Sequence, residues 1–182
     1  MLALKRMRKA NIDVYLTVIV RDKNGKVVYR RRYKSRSFVE GFLNALYSNF
    51  INSVNGGSFT HFNSPNMVVG SGRTPPSISD SGLTSQIGIG TGAGQLQYGS
   101  DSLNAPIIDL NNNRASFTWS KTFGNGSGGN VTVSEVGAYV NLSPLLGGST
   151  STYFILHDLL PSPITLSPSQ VLTVVYTIIV ST

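Results

Sequence analysis

The clearest periodic stretch in the chain is near its end. Val171-Leu172-Thr173-Val174-Val175-Tyr176-Thr177-Ile178-Ile179-Val180 runs without a glycine, proline or charge. Most of it is β-branched, which suits an extended, pleated backbone and disfavours a helix. Leu172, Val174, Tyr176, Ile178 and Val180 fall on one face. The other face, Val171, Thr173, Val175, Thr177 and Ile179, is only half polar. A strand of this kind belongs in the middle of a sheet, with one face in a core and the other at least partly covered. The same period of two runs through Ile12 to Val20 and, after Asp22-Lys23-Asn24-Gly25-Lys26, through Val27 to Lys34. Asn-Gly between alternating runs predicts a hairpin. A two-residue turn at Asn24-Gly25 sets Val20 opposite Tyr29, Val18 opposite Arg31 and Leu16 opposite Tyr33. One face of this hairpin, residues 12–34, is mostly apolar; the other carries Tyr15, Thr17, Arg21, Arg30, Arg32 and Lys34.

The period then changes. Ser37 and Glu40 form a capping box. Phe38, Phe42, Leu43, Leu46, Phe50, Ile51 and Val54 follow helical spacing up to Asn55-Gly56-Gly57, which predicts one helix over 37–54. Short strands resume between 66 and 180. Arg114 to Phe123 alternates with Phe117, Trp119 and Phe123 inward. In Val131 to Leu142, Val131, Val133, Val136 and Tyr139 share a face only with a bulge, expected at Gly137. Tyr153 to Leu156 reads as a short strand, followed by a stretch punctuated by Pro161, Pro163 and Pro168. Gly124 to Asn130 reads as a mobile loop. Eight or nine strands and one helix make a mainly β fold, a β-sandwich with a jelly-roll-like arrangement among its forms. The organisation is a basic arm, 1–10, and a single domain, 11–182. A weak repeat relates Val69-Gly70-Ser71-Gly72, Asp80, Leu83 and Ile87 to Ile89-Gly90-Thr91-Gly92, Asp101, Leu103 and Ile107.

Charge divides the chain. Twelve of the fifteen Lys and Arg lie in residues 1–36, against Asp13 and Asp22; the rest holds three bases and six acids. This is a near-neutral body with a basic arm and face. The candidate partner-binding residues are Lys5, Arg6, Arg8, Lys9, Arg30, Arg32, Lys34 and Arg36. Tyr15, Tyr29 and Tyr33 are interleaved with them. They suit an acidic neighbouring subunit or the phosphates of a nucleic acid. Lys and Arg are too few beyond residue 36 to guard strand edges. The expectation is therefore that a neighbouring copy covers an edge, with the segment from Leu2 to Ile12 as donor strand. No apolar run has the form of a signal peptide or a membrane span.

Catalytic patterns are weak by comparison. Gly88, Gly90, Gly92 and Gly94 do not complete a phosphate-binding motif, and no Walker-type loop exists. His61 and His157 lack metal-ligand spacing, and a chain without cysteine offers no thiolate. Asp80 and Asp101 read as turn-capping residues. Glu135 reads as an exposed residue or as the cross-strand partner of Arg114 or Lys121. Asn125, Asn130 and Asn141 begin glycosylation sequons. No cofactor and no enzymatic activity are expected.

Three segments together resemble a known group. Val68-Val69-Gly70-Ser71-Gly72 with Pro75-Pro76, Asp80 and Leu83 is the first. Ser134-Glu135-Val136-Gly137-Ala138-Tyr139 is the second, and Pro163 to Tyr176 the third. Their order is similar to small virion structural proteins of tailed phages and some archaeal viruses: tail, fibre-base and decoration components. Ala138 departs from the pattern, where a larger apolar residue is usual, and so does Ser169, where a turn glycine is usual. The resemblance implies a self-assembling subunit of a virion, in tail, fibre, decoration or capsid. Its partners would be copies of itself and other virion proteins, with no membrane and no catalysis. The alternative is a nucleic-acid-binding β protein that uses the basic hairpin. An enzyme acting on polysaccharide ranks third, for want of an acid pair.

Overall fold

The computed structural model describes residues 11–35, 38–45, 61–143 and 150–181. The arm 1–10, Arg36, Ser37 and the predicted helix beyond residue 45 lie outside the described residues. Two antiparallel sheets pack face to face as a β-sandwich. The large sheet takes β1 (Asn11–Arg21), β2 (Val27–Ser35), β7 (Arg114–Gly124) and β10 (Val171–Ser181) in the order β2-β1-β10-β7. Three short pieces, β4 (Gln97–Tyr98), β5 (Ser102–Leu103) and β6 (Ile107–Asp109), pair one after another along the outer edge of β7. The small sheet is β3 (His61–Gly70), β8 (Val131–Ser143) and β9 (Ser151–Leu166), with β8 central. Among the described residues no helix is long and apolar enough to cross a membrane.

The last strand is where its pattern puts it, between β1 and β7. Leu172, Val174 and Tyr176 are fully buried against the small sheet, while Thr173, Val175, Thr177 and Ile179 are half-buried on the other face. From β1, Val14, Leu16, Val18 and Val20 join the core. The hairpin register is as expected: Leu16 opposite Tyr33, Val18 opposite Arg31, Val20 opposite Tyr29. The turn itself differs. Gly25 N donates to Asp22 O and Gly25 sits at φ 79°. The loop is therefore Lys23-Asn24-Gly25, a turn closed by a left-handed glycine. Asp22 Oδ1 accepts from the N–H groups of Asn24 and Lys26 and fixes it. Arg21 pairs with Val27 and Val20 with Tyr29, so Val28 is an extra, bulged residue that restores the register.

Strand β8 also needs a bulge, at a different residue from the one its pattern suggested. The register shifts between Val133 and Glu135, so that Val131 and Val133, then Val136, Ala138, Val140 and Leu142, all enter the main core. Tyr139 points the other way, into a second small cluster with Val39, Val68, Phe154 and Leu83. Gly137 serves close approach instead: a Cβ there would stand 2.5 Å from the Phe154 ring. The other departure concerns β9, which runs for 16 residues through Pro161 and Pro163. It lies at the edge of its sheet, where a missing N–H costs no ladder bond. The turn before β10 forms without glycine. Ser169 takes φ 66°, and its N–H donates to Asn125 O at 2.8 Å.

The helix begins later than its capping box implied. Phe38 forms a bridge with Leu156, Val39 N donates to Ile155 O, and among the described residues 40–45 are helical (α1). Ala45 is buried, Phe42 packs on Phe38, and Leu43 is exposed.

The expectation that edges lie bare for want of Lys and Arg does not hold, because the chain guards them with its own loops. β4, β5 and β6 cover β7. Ser71 N donates to Ser85 O and Ile87 N to Val69 O, which lays residues 85–87 along the end of β3. Phe38 and Val39 lie on β9, which carries two prolines as well. On β2 the guard is charge: Arg30, Arg31, Arg32 and Lys34 are all exposed.

Candidate functional site

Of the residues singled out for partner binding, Lys5, Arg6, Arg8, Lys9 and Arg36 lie outside the described residues. Arg30, Arg32 and Lys34 fall opposite Ile19, Thr17 and Tyr15, on the face turned away from the core. They form one cationic row along an edge strand, with successive members about 6.6 Å apart. The row is organised by its neighbours on β1. The Arg32 guanidinium lies over the Tyr15 ring, 4.1 Å from its centroid. Lys34 pairs with Asp13. Arg31 belongs to the other face and lies over Tyr29. Beneath it the Tyr29 and Tyr33 hydroxyls meet at 3.0 Å. Burial and that hydroxyl contact push the Tyr33 phenol up to about 12.

This row borders a broad, nearly charge-free surface. Register across the large sheet aligns Lys34, Tyr15, Thr177 and Thr118, then Arg32, Thr17, Val175 and Ser120, then Arg30, Ile19, Thr173 and Thr122. At its β7 margin Asn104 reaches over the edge, and its Nδ2 donates to Thr118 Oγ1 at 2.8 Å.

A second exposed feature lies on the inner face. There the row Ile12, Val180, Ala115 and Ile108 crosses four strands at one end of the large sheet. Ile12, Val180 and Ile108 are 60, 44 and 70 % exposed. Next to them Ile107 and Leu110 are also exposed and line an open groove with Asp109 and Arg114. Among the described residues this end of the core face of the large sheet is left bare. β1 begins at Asn11, so the basic arm precedes this same rim in the chain.

Two polar clusters carry roles that spacing did not suggest. Glu135 is neither exposed nor paired with Arg114 or Lys121. It is fully buried, accepts from Gly72 N at 3.0 Å, Ser85 N at 2.8 Å and Thr84 N at 3.2 Å, and faces His157 Nε2 at 3.0 Å. His157 Nδ1 faces Asp80 Oδ2 at 2.6 Å. Both ring nitrogens are engaged, so the imidazole has none free to serve a substrate as a general base. The chain Asp80–His157–Glu135 ties the 71–85 loop to the outer face of the small sheet. Burial raises the Asp80 carboxyl, but the Ser77 N–H and His157 outweigh it and hold the group below its usual range. Asp80 also caps its turn, as its spacing suggested.

Asp101 does not cap a turn. It pairs with Lys121 at 2.7 Å and accepts from Trp119 Nε1 and Met67 N. Lys121 was the available signal, since it interrupts an otherwise aromatic inward face, Phe117, Trp119 and Phe123. A buried cation there requires a buried acid. The repeat is not carried into the fold: Leu83 packs in the second cluster, whereas Leu103 is 52 % exposed. Among the described residues no three His, Asp or Glu side chains converge on a common point as metal ligands.

No family model matches the chain, and no curated protein or solved structure matches it.

Proposed function

We propose that this chain is a virion structural subunit that works by contact with copies of itself and with neighbouring virion proteins. One observation carries the reading: among the described residues the apolar row Ile12, Val180 and Ile108, on the core face of the large sheet, is exposed. Monomers seldom leave apolar surface contiguous with a core; a surface of this kind is an interface. The second contact is the basic edge, Arg30, Arg32 and Lys34, which suits an acidic neighbour and sets orientation. The order of the three phrases that resemble those of small phage and archaeal-virus virion proteins points the same way.

Electron microscopy and sedimentation of the concentrated protein test this. Ile108→Glu should disperse assemblies while circular dichroism stays unchanged. Arg30→Glu with Arg32→Glu should weaken association, and added salt should weaken it in the parent. A protein that stays monomeric at high concentration, or assembles regardless of Ile108→Glu, would sink the reading.

A second reading rests on the same cationic row with Arg32 stacked on Tyr15: contact with nucleic-acid phosphates. Tight binding of DNA or RNA that falls steeply with salt, in a protein that does not self-associate, would favour it.

A further inference from the structure

One trio of side chains joins the two sheets and has no part in the assembly reading. Lys121 projects from β7 of the large sheet, Asn66 from β3 of the small one, and Asp101 from the segment between β4 and β5. Lys121 Nζ is 2.7 Å from Asn66 Oδ1 and 2.7 Å from Asp101 Oδ2. The Lys121 side chain is 5 % exposed and that of Asp101 is 11 %. Tyr98 lies 5.4 Å from the ammonium. Asp101 is held so that it cannot turn away: Trp119 Nε1 and Met67 N donate to its Oδ1 at 2.8 and 3.0 Å, leaving Oδ2 for the lysine.

The Asn66 carbonyl satisfies a second proton of the buried ammonium, and the same contact sets a nitrogen nucleophile beside a primary amide. Amine, carboxamide and carboxyl together are the parts of an amide-exchange reaction, with a nucleophile, an acyl group and a proton carrier. Asn66 Cγ stands one carbonyl bond, about 1.23 Å, behind Oδ1. It is therefore within about 4 Å of Nζ, and a shift of under about 1 Å reaches attack distance.

We propose that Lys121 and Asn66 become joined by an intramolecular amide bond, with Asp101 moving the protons. Asp101 takes one proton from the Lys121 ammonium and frees the amine lone pair. The amine adds to Cγ, and the carbonyl pair moves onto Oδ1, which becomes an oxyanion. The pair returns as the Cγ–Nδ2 bond breaks. Lys121 Nζ keeps one of its three hydrogens; the other two pass through the Asp101 carboxyl to the departing nitrogen. Ammonium leaves, Asp101 ends as the carboxylate it was, and no oxidant or second reactant is consumed. Asn66 stands at the exposed rim of β3, so the leaving group has a way out. The product is a covalent tie between β3 and β7, across the two layers of the sandwich.

Intact mass spectrometry of the denatured full chain decides the matter. After incubation at neutral pH the mass should fall short of the sequence mass by one ammonia, and digestion should release a branched peptide joining positions 66 and 121. Lys121→Arg and Asn66→Ala should each restore the full mass, and Asp101→Asn should slow the loss strongly. Cyclisation at an Asn-Gly pair removes the same mass, but it would persist in Lys121→Arg and yields no branched peptide. The first measurement uses the parent chain, so it does not depend on whether any variant folds. The full sequence mass after prolonged incubation, or a deficit retained in Lys121→Arg, would overturn the proposal.

Discussion

The two sheets differ most on the faces they turn away from each other. The small sheet has its outer face covered: Val39 and α1 from one side, and the 71–87 loop from the other, close over Val68, Tyr139 and Phe154. The large sheet leaves its outer face open, a field of Thr, Ser, Val and Tyr with cations along one margin. Strands of similar length in the two sheets follow these two courses because of composition. β8 turns Val131, Val133, Val136, Ala138, Val140 and Leu142 to the core, and on its other face the buried Glu135 and half-buried Tyr139 anchor the segments that close over it. β7 and β10 place hydroxyls and short branched side chains outward, which tolerate both water and a partner. In this protein the covered face serves stability and the open face is available for contact.

The sharpest way to break that division is to remove the peg under the cover. Glu135→Ala deprives three backbone N–H groups and His157 of their acceptor in a buried site. It should cost about 3–5 kcal/mol, read as a lower urea midpoint. The outer face of the large sheet should be indifferent to it.

A smaller effect of the same cover is its dependence on acid. The folded Asp80 carboxyl lies below its usual range, so the folded state prefers it ionised. Its contribution is complete above the unfolded value, about 3.9, and is lost as pH falls through the lower folded value. Asp80→Asn should therefore flatten the acid limb of a stability-versus-pH curve and leave its neutral part parallel to the parent. An unchanged acid limb would count against the Asp80–His157 link.

The smallest change in stability should come from the open face. Thr177→Lys adds a charge in the middle of that field, between Tyr15 and Thr118. It should alter the unfolding free energy by no more than about 0.5 kcal/mol, while lowering any association that uses the face. A loss of several kcal/mol would mean that the face is part of the core.

Local pattern made much of this readable. Alternation alone centred Val171 to Val180 in the large sheet, and it set Leu16 against Tyr33 because one misplaced residue would turn the whole face outward. The sandwich followed from the number of strands. Pairings made by residues far apart in the chain were not readable. Asp101 meets Lys121 and His157 meets Asp80 only because loops fold back over strands, and nothing in their spacing records that. The bulge in β8 was required by its pattern, but its place was not: Gly137 attracted it as the only glycine, whereas Phe154 is what needs that glycine. Edge protection follows the same rule: charges are visible locally in the sequence, whereas the backbone that guards β7, β3 and β9 comes from elsewhere in the chain.

The pairing of β1 with β10 brings Asn11 beside Ser181, with backbones about 5 Å apart. Whatever precedes the one and follows the other leaves the sandwich at a single rim, beside Ile12 and Val180. A tag or fused cargo attached directly at Asn11 or at Ser181 would crowd the same spot, and two such additions would crowd each other. The same closeness allows the ends to be joined by a short linker and new ones opened at the Asn24-Gly25 tip. A circular permutant of that kind would keep every layer of the fold and carry its cargo on the hairpin tip.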